Sequence, residues 1–289
     1  MSADRALLFR LATSRRFEQT VRTVPGGEAR AWRAASRYVA GRSQAEALTT
    51  AADLFGQGHG VSLDLFGELV ADPAEADRVR DDYLALAAAL PPGDVWLSVD
   101  LSHLAVDVDP AGAADRLAAI ATALAPGRRV QVGAEDAGRT DDVLGCLLDV
   151  AGRGLAHRLG GTVQANLQRS PDDLEALVAA QVHVRLVKGA YLEATGAHPH
   201  GEPTDLAYLR LGARLAGSGV PWSMATHDGR LREALHLLAG PVPVEQLLGV
   251  RTDVLGELRG RSVPTRVYVP YGPAWFRYWM RRLAESRGA

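Results

Sequence analysis

The sequence contains almost no lysine and almost no cysteine. Of its 32 basic residues 31 are arginines, and Lys188 is the one lysine. Lysine carries a compact charge on a flexible side chain, whereas the arginine guanidinium is wide and planar. Because the chain otherwise uses arginine at its basic positions, the single lysine indicates a site where an arginine would not function. The one cysteine, Cys146, excludes an internal disulfide framework, and its apolar neighbours predict a buried, unreactive thiol.

Long apolar runs and a large net charge are also absent. No stretch reaches the roughly 18 apolar residues that a membrane-spanning helix needs. The arginines near the N-terminus are not followed by an uninterrupted apolar segment, so we expect no signal peptide. The net charge of −2, from 32 basic and 34 acidic residues, gives no reason to expect nucleic acid as a partner. We expect a soluble, cytoplasmic protein and leave peripheral membrane contact open.

The 289 residues are divided into a helical segment and a region of alternating strands and helices. Residues 1–60 predict helices that pack on the main domain. Residues 61–289 predict eight strands, at 61–66, 95–101, 129–133, 162–167, 182–188, 221–226, 244–248 and 265–269. Helical patterns lie at 30–38, 44–55, 73–90, 111–124, 171–180, 205–216, 230–239 and 274–285.

This alternation predicts an α/β fold, a (β/α)₈ TIM barrel. The first four strands begin 33 or 34 residues apart, which is typical of a closed parallel barrel. A doubly wound open sheet is the alternative, but it usually carries a glycine-rich phosphate turn directly after its first strand. The glycines at 56–60 precede a strand and those at 152–154 do not open a helix after one. We therefore expect the catalytic residues at the carboxyl ends of barrel strands.

The fifth strand ends in two cations, Arg185 and Lys188. Residues i and i+3 of a strand point to opposite faces, so either the strand ends before Lys188 or only one cation faces the barrel mouth. The cations could serve a ligand. The alternative is that they form salt bridges to Glu135, Asp136 or Asp228.

Two further segments carry candidate residues. In the last helix Trp275, Tyr278, Arg282 and Glu285 form one stripe, with Arg281 about 100° round the axis. The two arginines could grip one anion or could simply complement the helix dipole. At the end of the sixth strand, 225–228 places a histidine beside an aspartate, which could act as a base or a hydrogen-bonding pair. We expect no metal there, because further ligands at suitable positions are missing.

Taken together, these segments resemble the bacterial proline dehydrogenase family, which includes monofunctional enzymes and the matching domain of bifunctional proline-utilisation proteins. The resemblance rests on 185–191 (RLVKGAY), 225–227 (ATH) and 266–272 (RVYVPYG) with the last helix, and on 61–68 (VSLDLFGE). It covers nearly the whole chain, in the family's order.

The resemblance implies a distorted barrel with a C-terminal helix over its mouth and with bound FAD. The family moves a hydride from C5 of proline to flavin N5, which gives Δ1-pyrroline-5-carboxylate, and a quinone reoxidises the flavin. The implied cofactor residues are Arg185, Lys188, Gly189, Ala190, Gln164, Thr226, His227, Asp228, Glu245 and Glu285. The implied substrate residues are Arg281 and Arg282 on the carboxylate, with Leu186, Tyr191, Leu247 and Tyr268 around the ring and Asp100 beside them.

Several positions depart from the family pattern. Asp100 stands where the family has a lysine, Gly133 where it has an aspartate, and Glu245 where it has a glutamine; the position of Asn166 is usually aromatic. The first two changes could be coupled, with the acid moved to the neighbouring strand. Asp100 would then be aimed away from the substrate, pair with Arg281 or Arg282, or signal a different cyclic or secondary amino acid.

Two other functions remain open from the sequence. One is a flavin-free barrel lyase or aldolase in which Lys188 forms a Schiff base. The other is a non-catalytic relative that keeps the fold.

Overall fold

The structure is a computed structural model, and it describes residues 15–191 and 193–286; the side chains at 15, 281 and 283–286 are outside the described set. Eight parallel strands close into one barrel in sequence order, β1 next to β2 and so on round to β8. The strands are β1 Gly60–Leu65, β2 Val95–Val99, β3 Val130–Val132, β4 Leu159–Gln164, β5 His183–Val187, β6 Trp222–Ala225, β7 Val244–Leu247 and β8 Thr265–Tyr271. The predicted (β/α)₈ barrel is confirmed.

Helices surround the barrel and precede it. Three lie before β1 in the described part of the chain, α1 Arg15–Thr23, α2 Gly27–Ala35 and α3 Gln44–Gly56. The others are α4 Pro73–Ala89, α5 Pro110–Ala123, α6 Thr140–Val150, α7 Ser170–Ala179, α8 Glu202–Ala216, α9 Gly229–Ala239, α10 Thr252–Gly260 and α11 Trp275–Ser286. None of the helices described is long and apolar enough to cross a membrane.

The sequence patterns missed two helices, α6 and α10. Each contains a glycine, Gly145 or Gly256, and glycine weakens a helix by about 1 kcal/mol relative to alanine. Packing against the rest of the protein stabilises α6 despite its weak helix propensity, because Cys146 and Leu147 are buried. Burial raises the pKa of the Cys146 thiol to about 11, as expected for an unreactive cysteine.

The barrel closes unevenly. β1 and β8 pair through six residues, whereas β6 and β7 pair only through Met224 and Val244. The apolar core lies between the strands and the helices, with Val61, Val184 and Val267 among its buried residues.

The last helix packs on the N-terminal helices and on the β1–β8 side of the barrel. Trp275 meets Trp32 of α2 edge to face, with ring centroids 5.0 Å apart. Tyr278 of the same helix lies 5.1 Å from Phe66, which follows β1, and 6.2 Å from Tyr268 of β8. The helix therefore covers the carboxyl end of the barrel on this side.

Candidate active site

The barrel interior is unusually polar. Trp96 of β2 and His183 of β5 touch across it, with ring centroids 5.2 Å apart, although their strands are not neighbours. Because side chains alternate along a strand, Arg185 also faces the interior, two residues beyond His183. This alternation gives the interior its polar residues and places the apolar ones against the helices.

Arg185 forms a buried ion pair with Glu245 of β7. Arg185 Nε donates to Glu245 Oε2 at 2.8 Å, and Arg185 Nη2 lies 2.6 Å from the same oxygen. Ser223 Oγ, on the strand between them, donates to Glu245 Oε1 at 2.5 Å. Burial opposes the charge of Glu245, but attraction by Arg185 and Arg266 outweighs it and lowers the Glu245 pKa. Glu245 therefore stays ionised and holds Arg185 in one orientation.

Lys188 lies just beyond the strand. β5 ends at Val187, which settles the geometry of the two cations: Arg185 faces the interior and Lys188 belongs to the following loop. Lys188 Nζ lies 2.5 Å from Asp205 Oδ1 of α8 and 3.6 Å from Asp228 Oδ2. A Schiff-base lysine is normally desolvated or beside another cation, so this ammonium between two carboxylates does not favour the aldolase alternative.

The loop after Lys188 packs closely against the end of β4. Gly189 has a φ of 109°, and a Cβ at that position would overlap the side chain of Asn166. Gln164 Nε2 donates to Glu135 O at 2.7 Å, whereas Gln164 Oε1 and Asn166 Oδ1 are buried without a hydrogen-bond partner in the described part of the chain. Buried amide oxygens without a donor from the protein are suited to accept hydrogen bonds from a bound polar group. Ala190 is exposed beside them.

The end of β6 begins a positively charged cleft. Thr226 Oγ1 accepts from Asp228 N at 3.1 Å, and Asp228 caps α9 by accepting from Arg230 N at 3.0 Å. His227 lines a cleft of about 710 Å³ together with four arginines and three acids, one of which is Asp228. Burial, reinforced by Arg282 and two further arginines, lowers the His227 pKa to about 4. The histidine is neutral in a field that favours an anion.

An acid and two phenols meet on the β1–β8 side of the mouth. Asp64 is 2% exposed, and its carboxylate accepts hydrogen bonds from Tyr268 and, at 3.1 Å, from Tyr83 of α4. Burial raises the Asp64 pKa to about 6, although the phenols and Arg185 oppose the shift. Burial, with the charges of Asp64 and Asp100 adding to it, raises the Tyr268 pKa well above its usual range.

The structure gives the positions of four other predicted substrate residues. Leu247 and Tyr268 pair across β7 and β8, and both are half-buried on the interior side. Tyr191 is half-buried in the loop after β5. The Arg282 guanidinium lies 5.2 Å from the ring centroid of Tyr278.

One predicted substrate residue is wrongly placed. Leu186 follows Arg185 directly, so it faces the helices, and it is fully buried in the apolar core. Its strand neighbours are Val163 and Met224, two further core residues. Leu186 cannot line a ring in the mouth unless the whole strand changes register. The predictions for Arg281 and Glu285 concern side chains outside the described set.

The comparisons with known proteins agree on one family. The sequence profile of the family described as proline dehydrogenase matches residues 47–289. This chain belongs to the proline dehydrogenase family, whose members are oxidoreductases. A proline dehydrogenase of Deinococcus radiodurans is 32% identical over 269 residues, which cover 88% of this chain and 87% of that protein. Proline dehydrogenase 1 of Bacillus subtilis strain 168 is 30% identical over 262 residues, 87% of this chain and 86% of that protein.

The solved structures show the same fold. Proline utilization A from Bdellovibrio bacteriovorus, inactivated by N-propargylglycine, superposes with a TM-score of 0.82 at 18% identity. The match covers 97% of this chain but 36% of that one, so this chain spans about a third of the larger protein. The Bradyrhizobium japonicum protein gives a TM-score of 0.73 at 23% identity, over 88% of this chain and 31% of that one.

The two departures on β2 and β3 fit each other in space. A Cβ at position 133 would overlap Asp100 Oδ1, and Gly133 N donates to Val99 O at 2.9 Å. The carboxylate of Asp100 thus occupies room that a side chain on β3 would take. Asp100 lies on the interior side of β2, in step with Trp96 and Ser98, and is half-buried.

Two residues of the site had no signal in the motifs. Tyr83 lies in the middle of a helix pattern, and its reach to Asp64 depends on how α4 packs. Asp205 is an acid in the first turn of α8, a position that usually serves the helix dipole. Its spacing after Lys188 gives no hint that the loop folds back to bring the two together.

Proposed function

We propose that this chain oxidises proline, or a related cyclic or secondary amino acid, with FAD as the hydride acceptor. When bound, FAD takes the hydride from substrate C5 at its N5, and proline gives Δ1-pyrroline-5-carboxylate. The observation that carries the proposal is the cradle at the ends of β4 and β5. There Gln164 Oε1 and Asn166 Oδ1 lack partners among the described residues, and the absence of a side chain at Gly189 makes room for Asn166.

The residues of this cradle fit a flavin ring. The ring system offers N–H donors and carbonyl acceptors, and Gln164 Oε1 can accept from such a donor. Arg185, which Glu245 holds in one orientation, would supply further N–H donors to the ring. Lys188, fixed by Asp205 and Asp228, adds a cation near the ring.

The cleft beside His227 fits the pyrophosphate of FAD. It opens at the N-terminus of α9, where Asp228 already accepts from Arg230 N, and the helix dipole there favours anions. Arg232 is 5% exposed, yet its Nε and Nη1 make no hydrogen bond in the described part of the chain. A carboxylate oxygen of Glu233 lies 3.9 Å from Arg232 Nε, which is too far for a hydrogen bond. A phosphate oxygen is a suitable acceptor for these donors.

The chain's own contribution to catalysis is binding, orientation and exclusion of water. Arg281 and Arg282 would hold the substrate carboxylate from the last helix. Tyr268, Tyr191 and Leu247 would wall the ring and keep the reacting carbon over the cofactor. Asp64 accepts from Tyr268 and so fixes that phenol.

The electron acceptor belongs to the same proposal. From the resemblance to the family we take it to be a quinone. Quinones of respiratory membranes are apolar, so a peripheral contact with a membrane surface follows for a cytoplasmic enzyme.

Absorbance of the purified protein tests the proposal. We expect a yellow protein with flavin bands that bleach on anaerobic addition of proline or of a cyclic amino acid related to it. A colourless protein that traps substrate at Lys188 with borohydride would establish the lyase instead. Flavin that no amine bleaches would establish a non-catalytic relative.

A further inference from the structure

The last helix begins in a cluster of two indoles and a cation. Trp275, the first residue of α11, is 1% exposed and meets the Trp32 ring of α2 edge to face, with centroids 5.0 Å apart. The Arg42 guanidinium lies 4.6 Å from the Trp32 centroid and 5.3 Å from the Trp275 centroid, so one cation contacts both rings. Glu28 of α2 pairs with Arg42 at 2.9 Å and helps to hold that cation in place. We call Trp32, Arg42 and Trp275 the indole cluster.

The chain between α2 and α3 also binds the turn from which α11 starts. Ala40 N donates to Pro270 O of β8 at 2.9 Å, and Gly272 N donates to Gly41 O at 3.1 Å. Gly272 has a φ of 116°, a conformation that glycine adopts readily and other residues do not. The segment before the barrel therefore holds both this turn and the first residue of the helix.

These contacts lie at one end of α11, and the proposed substrate arginine lies further along the same helix. Tyr278 packs on Phe66 and Tyr268 at the barrel mouth. The Arg282 guanidinium lies 5.2 Å from the Tyr278 ring centroid. Trp275 and Arg282 are about two helical turns, or about 10 Å, apart along the axis. A helix of this length moves as one body, so a tilt at Trp275 displaces Arg282.

We propose that Trp32 and Arg42 are positioning residues that set where α11 lies, and with it where Arg282 meets the substrate carboxylate. This inference rests on the proposed function and gives the segment before the barrel a part in substrate binding. Without the Trp32 indole, Trp275 loses its ring partner, so α11 should tilt and Arg282 should bind the carboxylate more weakly. A ligand without a carboxylate does not use Arg282 and should bind as before.

Two ring compounds separate this role from a general loss of structure. Cyclopentanecarboxylate carries the carboxylate that Arg282 would bind, and pyrrolidine carries the ring amine without a carboxylate. Their dissociation constants would be measured by calorimetry on the flavin-loaded wild type and its variants. In Trp32→Ala we expect cyclopentanecarboxylate to bind about tenfold more weakly, the usual effect of losing a hydrogen bond between charged groups. The affinity for pyrrolidine should stay unchanged.

Two further measurements follow the helix and the reaction. Hydrogen exchange of the α11 amides should be faster in Trp32→Ala, whereas that of α8, on the other side of the barrel, should not change. With proline as the substrate, KM should rise about tenfold and kcat should change little, because the loss of binding that is equal in the ground state and the transition state raises KM alone. Trp32→Phe keeps an aromatic ring against Trp275 and should restore both KM and the exchange rate.

Phe55→Ala is the matched control, and Arg42→Ala is a second variant. Phe55 of α3 is 40% exposed, and its ring lies against Gly93, just before β2 at the amino-terminal end of the barrel. Its loss removes an aromatic ring from the same helical segment, and both dissociation constants should stay unchanged. Arg42 is exposed, so Arg42→Ala tests the indole cluster even if Trp32→Ala does not fold. We expect it to weaken cyclopentanecarboxylate binding about threefold, the effect of an exposed cation–π contact.

The ratio of the two dissociation constants decides the inference. An unchanged ratio in the folded variants at Trp32 and Arg42 overturns their positioning role and leaves the proposed function standing. A wild-type protein without flavin overturns the proposed function. Calorimetry does not depend on the flavin signal, so the ratio still tests the indole cluster in that case. If the wild type binds neither ring compound, the proposed function and the inference are both wrong.

Discussion

The Asp100 carboxylate occupies the space that a side chain at position 133 would need, and Gly133 supplies that space from the neighbouring strand. Gly133→Ala should therefore displace the acid and lower the free energy of unfolding by about 1–3 kcal/mol, the usual cost of overpacking. Adding Asp100→Ala should recover most of this loss. Urea denaturation of the two single variants and the double variant measures the coupling.

Gly145→Ala is the control for this cycle. Gly145 lies in α6, and a Cβ there meets nothing within 4 Å. This substitution should leave stability unchanged or raise it by up to about 1 kcal/mol. Additive effects of Gly133→Ala and Asp100→Ala would contradict the packing relationship.

The barrel could be predicted from the sequence because the strand–helix pattern repeats. The side-chain pairs that form across the barrel interior could not. Arg185 and Glu245 are 60 residues apart on strands that are not neighbours, and no local pattern brings them together. The error at Leu186 was avoidable, because strand alternation sends it outward once Arg185 faces inward. The departures at Asp100 and Gly133 are visible in the sequence, but only the packing shows that they fit.

Glu245 should lower the reduction potential of the proposed flavin. Its negative charge is held beside Arg185 by two hydrogen-bond donors, and a negative charge near the ring disfavours the added electrons. Glu245→Gln keeps the size and an acceptor oxygen but removes the charge. We expect the potential to rise by on the order of 30 mV, which corresponds to about 1.4 kcal/mol for two electrons. Spectroscopic redox titration measures it.

The chain offers a matched control for this effect. Glu175 makes an ion pair with Arg214, 2.6 Å long, on the outside of the barrel. Glu175→Gln should leave the potential unchanged because this pair is far from the mouth. An equal shift in both variants would show a non-specific effect of lost charge.

Lys188 should matter for the cofactor and little for stability. Its ion pairs with Asp205 and Asp228 are partly exposed, and such pairs contribute at most about 1 kcal/mol. In Lys188→Met the two carboxylates lose their shared cation beside the proposed flavin. FAD should dissociate about tenfold more readily, measured by flavin fluorescence, since 1.4 kcal/mol corresponds to that factor.

Arg214→Met tests whether the loss of any ion pair that involves α8 weakens FAD binding. Arg214 pairs with Glu175 at 2.6 Å on the outside of the barrel. Its loss should leave FAD affinity unchanged. Tight FAD binding by Lys188→Met would remove the lysine from the cofactor site.

Asp64 should make the stability of the protein fall as the pH rises. Its pKa is raised to about 6 by burial, above the ordinary value of 3.8, so the folded state holds a proton that the unfolded chain has released. The free energy of unfolding therefore decreases between these two pH values, and the penalty is fully present above about pH 6. Relative to the wild type, Asp64→Asn should gain stability as the pH rises from about 4.5 to 7.

Tyr268→Phe sharpens this test, and Asp77→Asn controls for it. Loss of the Tyr268 phenol removes a donor that lowers the Asp64 pKa, so the pH window should extend above 6. Asp77 is half-buried, and hydrogen bonding to Arg116 lowers its pKa, so it titrates below the window. The difference between Asp77→Asn and the wild type should be flat from pH 4.5 to 8. If urea denaturation gives the same flat difference for Asp64→Asn, the Asp64 carboxylate is not a buried charge. That result would also contradict the role of Asp64 in holding the Tyr268 phenol.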